Sequence, residues 1–161
     1  DLHDADDVYG KTKSAGEIVS GSVMHIRSSI IGREQKDKRS LLEWVLSQPK
    51  NSEIPGFTDR LWNGVTTTAF AKVVLGIIKN DGFRSGVWHL VPRGSLTKFE
   101  LVSLIAQNLG RTDIQITPSE SGRPKDLTLS TNHPEANQSF WSGAGYQKIP
   151  SIQELIAEIS G

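Results

Sequence analysis

Val8-Tyr9-Gly10-Lys11-Thr12-Lys13, running on into Ser14-Ala15-Gly16-Glu17, is the stretch from which the rest of the chain is read. Tyr9 and Lys13 stand four residues apart, so on a helix they lie one turn from each other on a shared face. A phenol beside a fixed ammonium suits acid catalysis, because the positive charge favours phenolate. The same spacing also describes two solvated side chains. What surrounds the pair decides between the two.

Working outward, the pattern predicts a first helix over 8–20, with Val8, Thr12, Ala15 and Val19 along one side and Gly21 as its stop. Asp4, Asp6 and Asp7 stand where carboxylates favour the positive end of the helix dipole. Val23-Met24-His25-Ile26-Arg27-Ser28 follows as a strand with only partial alternation, as expected for one covered on both faces. Residues 31–38 end in charges and read as a loop. Ser40-Leu41-Leu42-Glu43, Thr97-Lys98-Phe99-Glu100 and Ser151-Ile152-Gln153-Glu154 share the capping-box spacing of hydroxyl and carboxylate. They announce helices over 40–48, ended by Pro49, over 97–109, ended by Gly110, and from 151 onward. A further helix over 66–79 is apolar around most of its circumference and is expected to be buried on several sides. Gly86-Val87-Trp88-His89-Leu90-Val91 reads as a buried strand, and Ile114-Gln115-Ile116-Thr117 as a short one halted by Pro118. This alternation predicts an α/β fold, with the most linker-like stretch at 120–124.

Composition narrows the function classes. The chain has 161 residues, enough for a sizeable core, and 18 basic against 18 acidic side chains. That balance gives no pull toward nucleic acid or a membrane surface. There is no cysteine, which excludes disulfides and thiolate metal sites and fits a reducing, cytoplasmic setting. His3, His25, His89 and His133 are dispersed, with no pair at helical metal-site spacing, so no metal is expected; His25 and His89 fall inside predicted strands. No Gly-x-Ser-x-Gly elbow and no glycine-rich phosphate loop after a strand is present, which disfavours hydrolase and phosphate-loop chemistry. Leu90-Val91-Pro92-Arg93-Gly94-Ser95 matches the thrombin recognition string; an exposed loop there would be nicked, and a rigid one would resist.

With those classes set aside, Tyr9-Gly10-Lys11-Thr12-Lys13-Ser14-Ala15-Gly16-Glu17 resembles the Tyr-x-x-x-Lys helix of the extended short-chain dehydrogenase/reductases, in the form found in the sugar-nucleotide branch. Ile26-Arg27-Ser28-Ser29 is placed like that branch's strand ending in Arg-Thr-Ser. Trp88-His89-Leu90-Val91 through Thr97-Lys98-Phe99-Glu100-Leu101 resembles its late strand and capped helix. Gly122-Arg123-Pro124 with Leu129 matches an Arg-Pro-x(4)-Leu element, and Ile149-Pro150-Ser151-Ile152 the approach to its last helix. The order is kept over nearly all of the chain, and the dTDP-4-dehydrorhamnose reductase group is the nearest named one. Those reductases commonly carry Trp directly after Arg-Thr-Ser, where this chain has Ile30.

The resemblance implies the C-terminal part of a Rossmann-type reductase with a small α/β substrate-binding lobe. Residues 1–32 would complete the Rossmann sheet and 33–161 would form the lobe, with the N-terminal cofactor-binding half missing. It implies NADPH or NADH as cofactor, a nucleotide-linked 4-keto sugar as substrate and a homodimer. Tyr9 would be the general acid, and Lys13 would favour its ionised form and bind the cofactor's ribose. Ser28, Ser29 and Ile30 would lie near the nicotinamide. Arg27 would be structural or on the pyrophosphate side. Trp62 and Asn63 sit where the branch has substrate-facing residues, although an aromatic packed over the core explains Trp62 as well. Arg123 would face the nucleotide or its phosphates, or form a surface ion pair. The implied alternatives are a sugar-nucleotide 4-epimerase or 4,6-dehydratase, a non-catalytic subunit of the methionine adenosyltransferase regulatory type, and a free-standing binding module. A fragment without its cofactor half is expected to be inactive.

Overall fold

The computed structural model describes residues 8–18, 20–34 and 36–159. In chain order they form α1 (Val8–Ala15), β1 (Met24–Arg27), β2 (Ile30–Ile31), α2 (Leu41–Ser47), β3 (Glu53–Phe57), β4 (Arg60–Trp62), β5 (Val65–Thr66) and α3 (Thr67–Lys79). There follow β6 (Gly86–His89), β7 (Leu96–Thr97), α4 (Lys98–Asn108), β8 (Gln115–Ser119), β9 (Lys125–Leu127), α5 (Pro134–Gly143) and α6 (Ile152–Ala157). Asp4, Asp6, Asp7, His3 and Val19 lie outside the described residues.

Parallel pairing dominates: β1 with β6, β2 with β5, and β3 with β8. The fourth sheet has the order β7-β4-β9, antiparallel on the β7 side and parallel on the β9 side. Parallel pairs need crossover connections, and the helices between the strands supply them. The mixed α/β class is thus as the sequence predicts.

Two apolar clusters hold these pieces together. Leu42 and Val45 of α2, Leu101, Val102 and Ile105 of α4, and Ile152 and Ile156 of α6 centre the first. Ala69 and Val73 of α3, Leu90, Phe140 and Trp141 of α5, and Leu155 of α6 centre the second, with Met24 and Ile26 of β1 packed against it. Trp141 is fully buried, and its indole N–H donates to the Val91 carbonyl (3.0 Å). Asn137 clasps the same residue, accepting from Val91 N (3.1 Å) and donating to Val91 O (3.0 Å).

The helix ends follow local chemistry. Thr97 and Ser151 make complete capping boxes with Glu100 and Glu154. Gly110, at φ 70°, ends α4, and Arg111 N reaches back to Ala106 O (2.8 Å) as a Schellman turn requires.

Four expectations need correction. The first helix stops at Ala15, one residue before Gly16, and does not continue to Ser20. The Ser40 box is only half made: the Glu43 N–H donates to the Ser40 hydroxyl oxygen, but the Ser40 N–H goes to Glu34 (3.0 Å). Glu43 is instead buried against Arg33 (2.8 Å). Pro118 does not halt its strand. β8 runs through it, pairing Pro118 with Gly56 of β3, because a strand with one paired side can turn a missing N–H outward. β3 itself, with Pro55 inside it, has no clear strand signature. Finally, α3 is buried on one face only: Ala69, Val73 and Gly76 are covered, while Leu75 and Ile78 stay 49% and 71% exposed.

Candidate functional site

α1 carries Tyr9 and Lys13 on its outer surface. The Lys13 ammonium sits over the Tyr9 ring, 5.6 Å from its centroid, as the one-turn spacing dictates. Tyr9 is 72% exposed, and no described residue hydrogen-bonds its hydroxyl. Thr12 donates to the Tyr9 carbonyl (2.8 Å) and tightens the turn between them.

What fixes α1 to the sheet is the residue just past its end. Glu17 takes two bonds from Arg27 of β1, Nε to Oε1 and Nη2 to Oε2, both 2.6 Å. This forked, half-buried pair is the strong geometry for Arg and carboxylate. The His25 ring contacts Ile18 O (3.0 Å). Arg27 is therefore a clamp between helix and strand. Glu17 sits inside the quoted motif, but its partner ten residues on is visible only in three dimensions.

Beyond the end of β1 the chain enters a second group of candidates. Ser28 donates to Leu90 O (2.9 Å), which continues the β1–β6 pairing through a side chain. The Ser29 carbonyl accepts from Val65 N (2.8 Å), and its hydroxyl oxygen accepts from the Trp62 indole N–H (2.6 Å). Ile30 is 47% exposed, in register with Val65. Gly64 makes this closeness possible. A Cβ there would collide with the Trp62 ring and the Ser29 carbonyl. Ser28, Ser29, Ile30 and Trp62 thus converge, at the carboxyl end of a parallel strand, where open α/β sheets hold ligands.

Trp62 is nevertheless a core residue, 9% exposed. Asn63 is buried and fully engaged: Leu129 N donates to its Oδ1 (2.6 Å), and its Nδ2 donates to Leu129 O (2.8 Å). Arg123 lies exposed on the turn before β9, its backbone bonded to Ser121. No hydrogen bond, ion pair or ring contact among the described residues joins Tyr9 or Lys13 to the Ser29–Trp62 group. A cavity of about 450 Å³ near Gly76, Asn80, Phe83, Arg84 and Phe140 has none of the candidates on its wall.

The chain holds a second tyrosine–lysine contact that spacing does not reveal. Lys72 sits 5.5 Å from the Tyr146 ring centroid, and both side chains bond Glu158 Oε2, at 2.8 and 2.9 Å. Burial first, and then the bond to Glu158, push the Tyr146 phenol up from its ordinary value. That phenol is held protonated as a donor, which is the opposite of an activated acid. His89, in register with Arg27, is held below the usual histidine value, by burial first and then by the Arg27 charge.

No protein-family model matches the sequence, and no curated protein does either. Solved structures do. The chain is similar to dTDP-4-dehydrorhamnose reductase from Yersinia enterocolitica (TM-score 0.64, 17% identity, 86% of this chain and 48% of that one). It is also similar to the Bacillus anthracis enzyme of that name, solved with NADP (0.63, 16%, 84% and 47%). A third match is dTDP-glucose 4,6-dehydratase from Bacillus anthracis, solved with NAD (0.52, 14%, 85% and 43%). The chain spans about half the length of the structures it matches. This chain carries an α/β fold shared with Rossmann-type sugar-nucleotide reductases and dehydratases.

Proposed function

We propose that these residues belong to a NAD(P)-dependent reductase of a nucleotide-linked 4-keto sugar, with Tyr9 as general acid and Lys13 as its partner. The observation that carries the reading is the Tyr9–Lys13 stack on α1, clamped through Glu17 and Arg27 to a parallel strand whose far end gathers Ser28, Ser29 and Ile30. Residues 1–32 then complete a cofactor-binding sheet, and 33–161 form the substrate lobe, with Arg123 toward the sugar nucleotide and the buried Trp62 and Asn63 supporting the lobe behind it. The pyrophosphate bed falls to residues beyond this chain, as the half-length matches suggest.

The residues present suit the ribose and nicotinamide end of such a cofactor. Lys13 offers an ammonium and Tyr9 a hydroxyl that no described side chain occupies, and both are donors for ribose hydroxyls. The nicotinamide, when bound, supplies the hydride. Tyr9 Oη gives its proton to the carbonyl oxygen as negative charge develops there. Lys13 then stabilises the phenolate left behind.

The test is made in the full-length protein with NADPH and a dTDP-linked 4-keto sugar. Tyr9→Phe is expected to lower kcat by about 10²–10⁴, the usual worth of a positioned acid, with little change in KM. Lys13→Met is expected to lower kcat and weaken cofactor binding together. Turnover by Tyr9→Phe at the parental rate would sink the assignment. The 161-residue chain alone is expected to show no turnover. The dehydratase match supports a second reading, in which the same pair serves a dehydratase or epimerase. Product analysis separates the two, since only the reductase consumes NADPH stoichiometrically.

A further inference from the structure

The Ser29 hydroxyl is a hydrogen-bond donor whose direction is set from behind. An indole N–H can only donate, so the Ser29 Oγ accepts from Trp62 Nε1 (2.6 Å) and its own hydrogen points elsewhere. No described residue accepts that hydrogen. The Ser29 backbone is pinned as well, because its carbonyl takes the Val65 N–H (2.8 Å). A free serine samples the staggered χ1 wells with a rotating hydroxyl. Here one lone pair is anchored to a fixed ring, and the O–H sweeps only what remains.

The anchor is rigid. Trp62 is buried in the first apolar cluster, which also holds Ile31 and Leu96. Its backbone is paired on both sides, with Leu96 of β7 and Leu127 of β9. Gly64 has no Cβ to push the ring away from the Ser29 carbonyl, so the two side chains meet. Ser29 itself is half-buried where the chain leaves β1, paired with β6, and enters β2, paired with β5. That crossing lies at the carboxyl end of a parallel strand, where open α/β sheets receive ligands. The neighbouring Ser28 hydroxyl is spent on Leu90 O (2.9 Å). Of the two serines, only Ser29 keeps a hydroxyl hydrogen to give among the described residues.

We propose that Trp62 is a positioning residue that aims the Ser29 O–H at an acceptor oxygen of the bound ligand. The ligand class rests on the reading above: the oxygen is either the carboxamide oxygen of the nicotinamide or an oxygen of the keto sugar. Both are uncharged acceptors suited to a neutral O–H. A donor already held in place loses less orientational freedom on binding. The chain from indole to hydroxyl to ligand also polarises each member, so the two bonds strengthen together. Trp62 needs no contact with the ligand to act this way, which reconciles its burial with its place beside the mouth.

The test measures binding of NADPH and of a dTDP-linked 4-keto sugar, each alone, to the full-length protein. Ser29→Ala is expected to weaken one of the two roughly fivefold, the worth of one neutral hydrogen bond, and Ser29→Thr to restore it. Trp62→Phe should weaken the same probe about threefold in the parent and leave it unchanged in the Ser29→Ala background. A tryptophan that acts only through packing would weaken both backgrounds alike, and that result overturns the positioning role. A loss confined to the sugar assigns the oxygen to the sugar. A loss confined to NADPH assigns it to the carboxamide, and an analogue with sulfur in place of that oxygen should then bind parent and Ser29→Ala equally. An equal loss of the sulfur analogue overturns the proposal. The Trp62 indole N–H resonance gives a readout that does not depend on Trp62→Phe folding. It should move downfield when the affected probe saturates the parent, and stay in place in Ser29→Ala. No movement in the parent, or equal loss of both probes in Ser29→Ala, overturns the inference and leaves the reductase reading standing. A parent that binds neither probe overturns that reading and this inference with it.

Discussion

Asn63→Leu separates a structural role from a ligand-facing one at a candidate site residue. Asn63 stands one residue past β4 and Leu129 two past β9, so their two hydrogen bonds carry the β4–β9 pairing beyond the point where the backbone ladder ends. Leucine keeps the same branched heavy-atom skeleton, so the change removes hydrogen bonds without opening a cavity. Two bonds at about 1 kcal/mol net each, plus a penalty of about 1 kcal/mol or more for the stranded Leu129 amide, sum to about 3 kcal/mol. The four tryptophans allow urea unfolding to be followed by fluorescence. With a slope of about 2 kcal/mol per molar urea, the midpoint should fall by about 1.5 M with the slope unchanged. The melting temperature should drop by roughly 6–12 °C. Asn132→Leu, at an exposed position, should stay within about 0.5 kcal/mol of the parent. A midpoint shift below about 0.3 M for Asn63→Leu would refute the clasp and return Asn63 to solvent or ligand.

Gly64→Ala should destabilise by roughly 2 kcal/mol or more, because the added methyl meets the Trp62 ring and a backbone carbonyl that cannot swing aside; parental stability in the same urea assay would contradict the close packing. His89 has a folded value below its ordinary 6.5, so its contribution is fully present above that pH and is lost as pH falls through the lower folded value. The melting temperature should therefore decline below pH 6.5 in the parent and decline less in His89→Gln; equal declines would remove His89 as the cause. Thrombin should cut at Arg93–Gly94 only slowly, since Leu90 and Val91 are buried and Arg93 N is bonded to Pro150 O (2.8 Å). Cleavage at the rate of an unfolded peptide would show that this segment opens readily.

Much of the architecture was legible because its causes are local. The capping boxes at Thr97 and Ser151, the stop at Gly110 and the apolar strand into His89 depend on neighbours a few residues away, and the structure has them where the spacing puts them. The Tyr9–Lys13 stack is local in the same sense, one turn of one helix. β3 was not legible, because Pro55 and Gly56 carry no strand propensity and their register comes wholly from β8.

The sequence by itself determined which residues could share a face or a cap. The tertiary structure decided what each side chain does there. Asn63 and Asn137 look alike as letters, and each clasps one backbone residue, 66 and 46 positions away. Glu17 became a clamp and Glu43 a buried ion pair only once Arg27 and Arg33 arrived beside them. Of the two tyrosines, Tyr146 is tied down by Glu158 and Tyr9 is open. Local rules act over one turn, whereas these partners meet through the crossovers of a parallel sheet, where distance along the chain says nothing of distance in space.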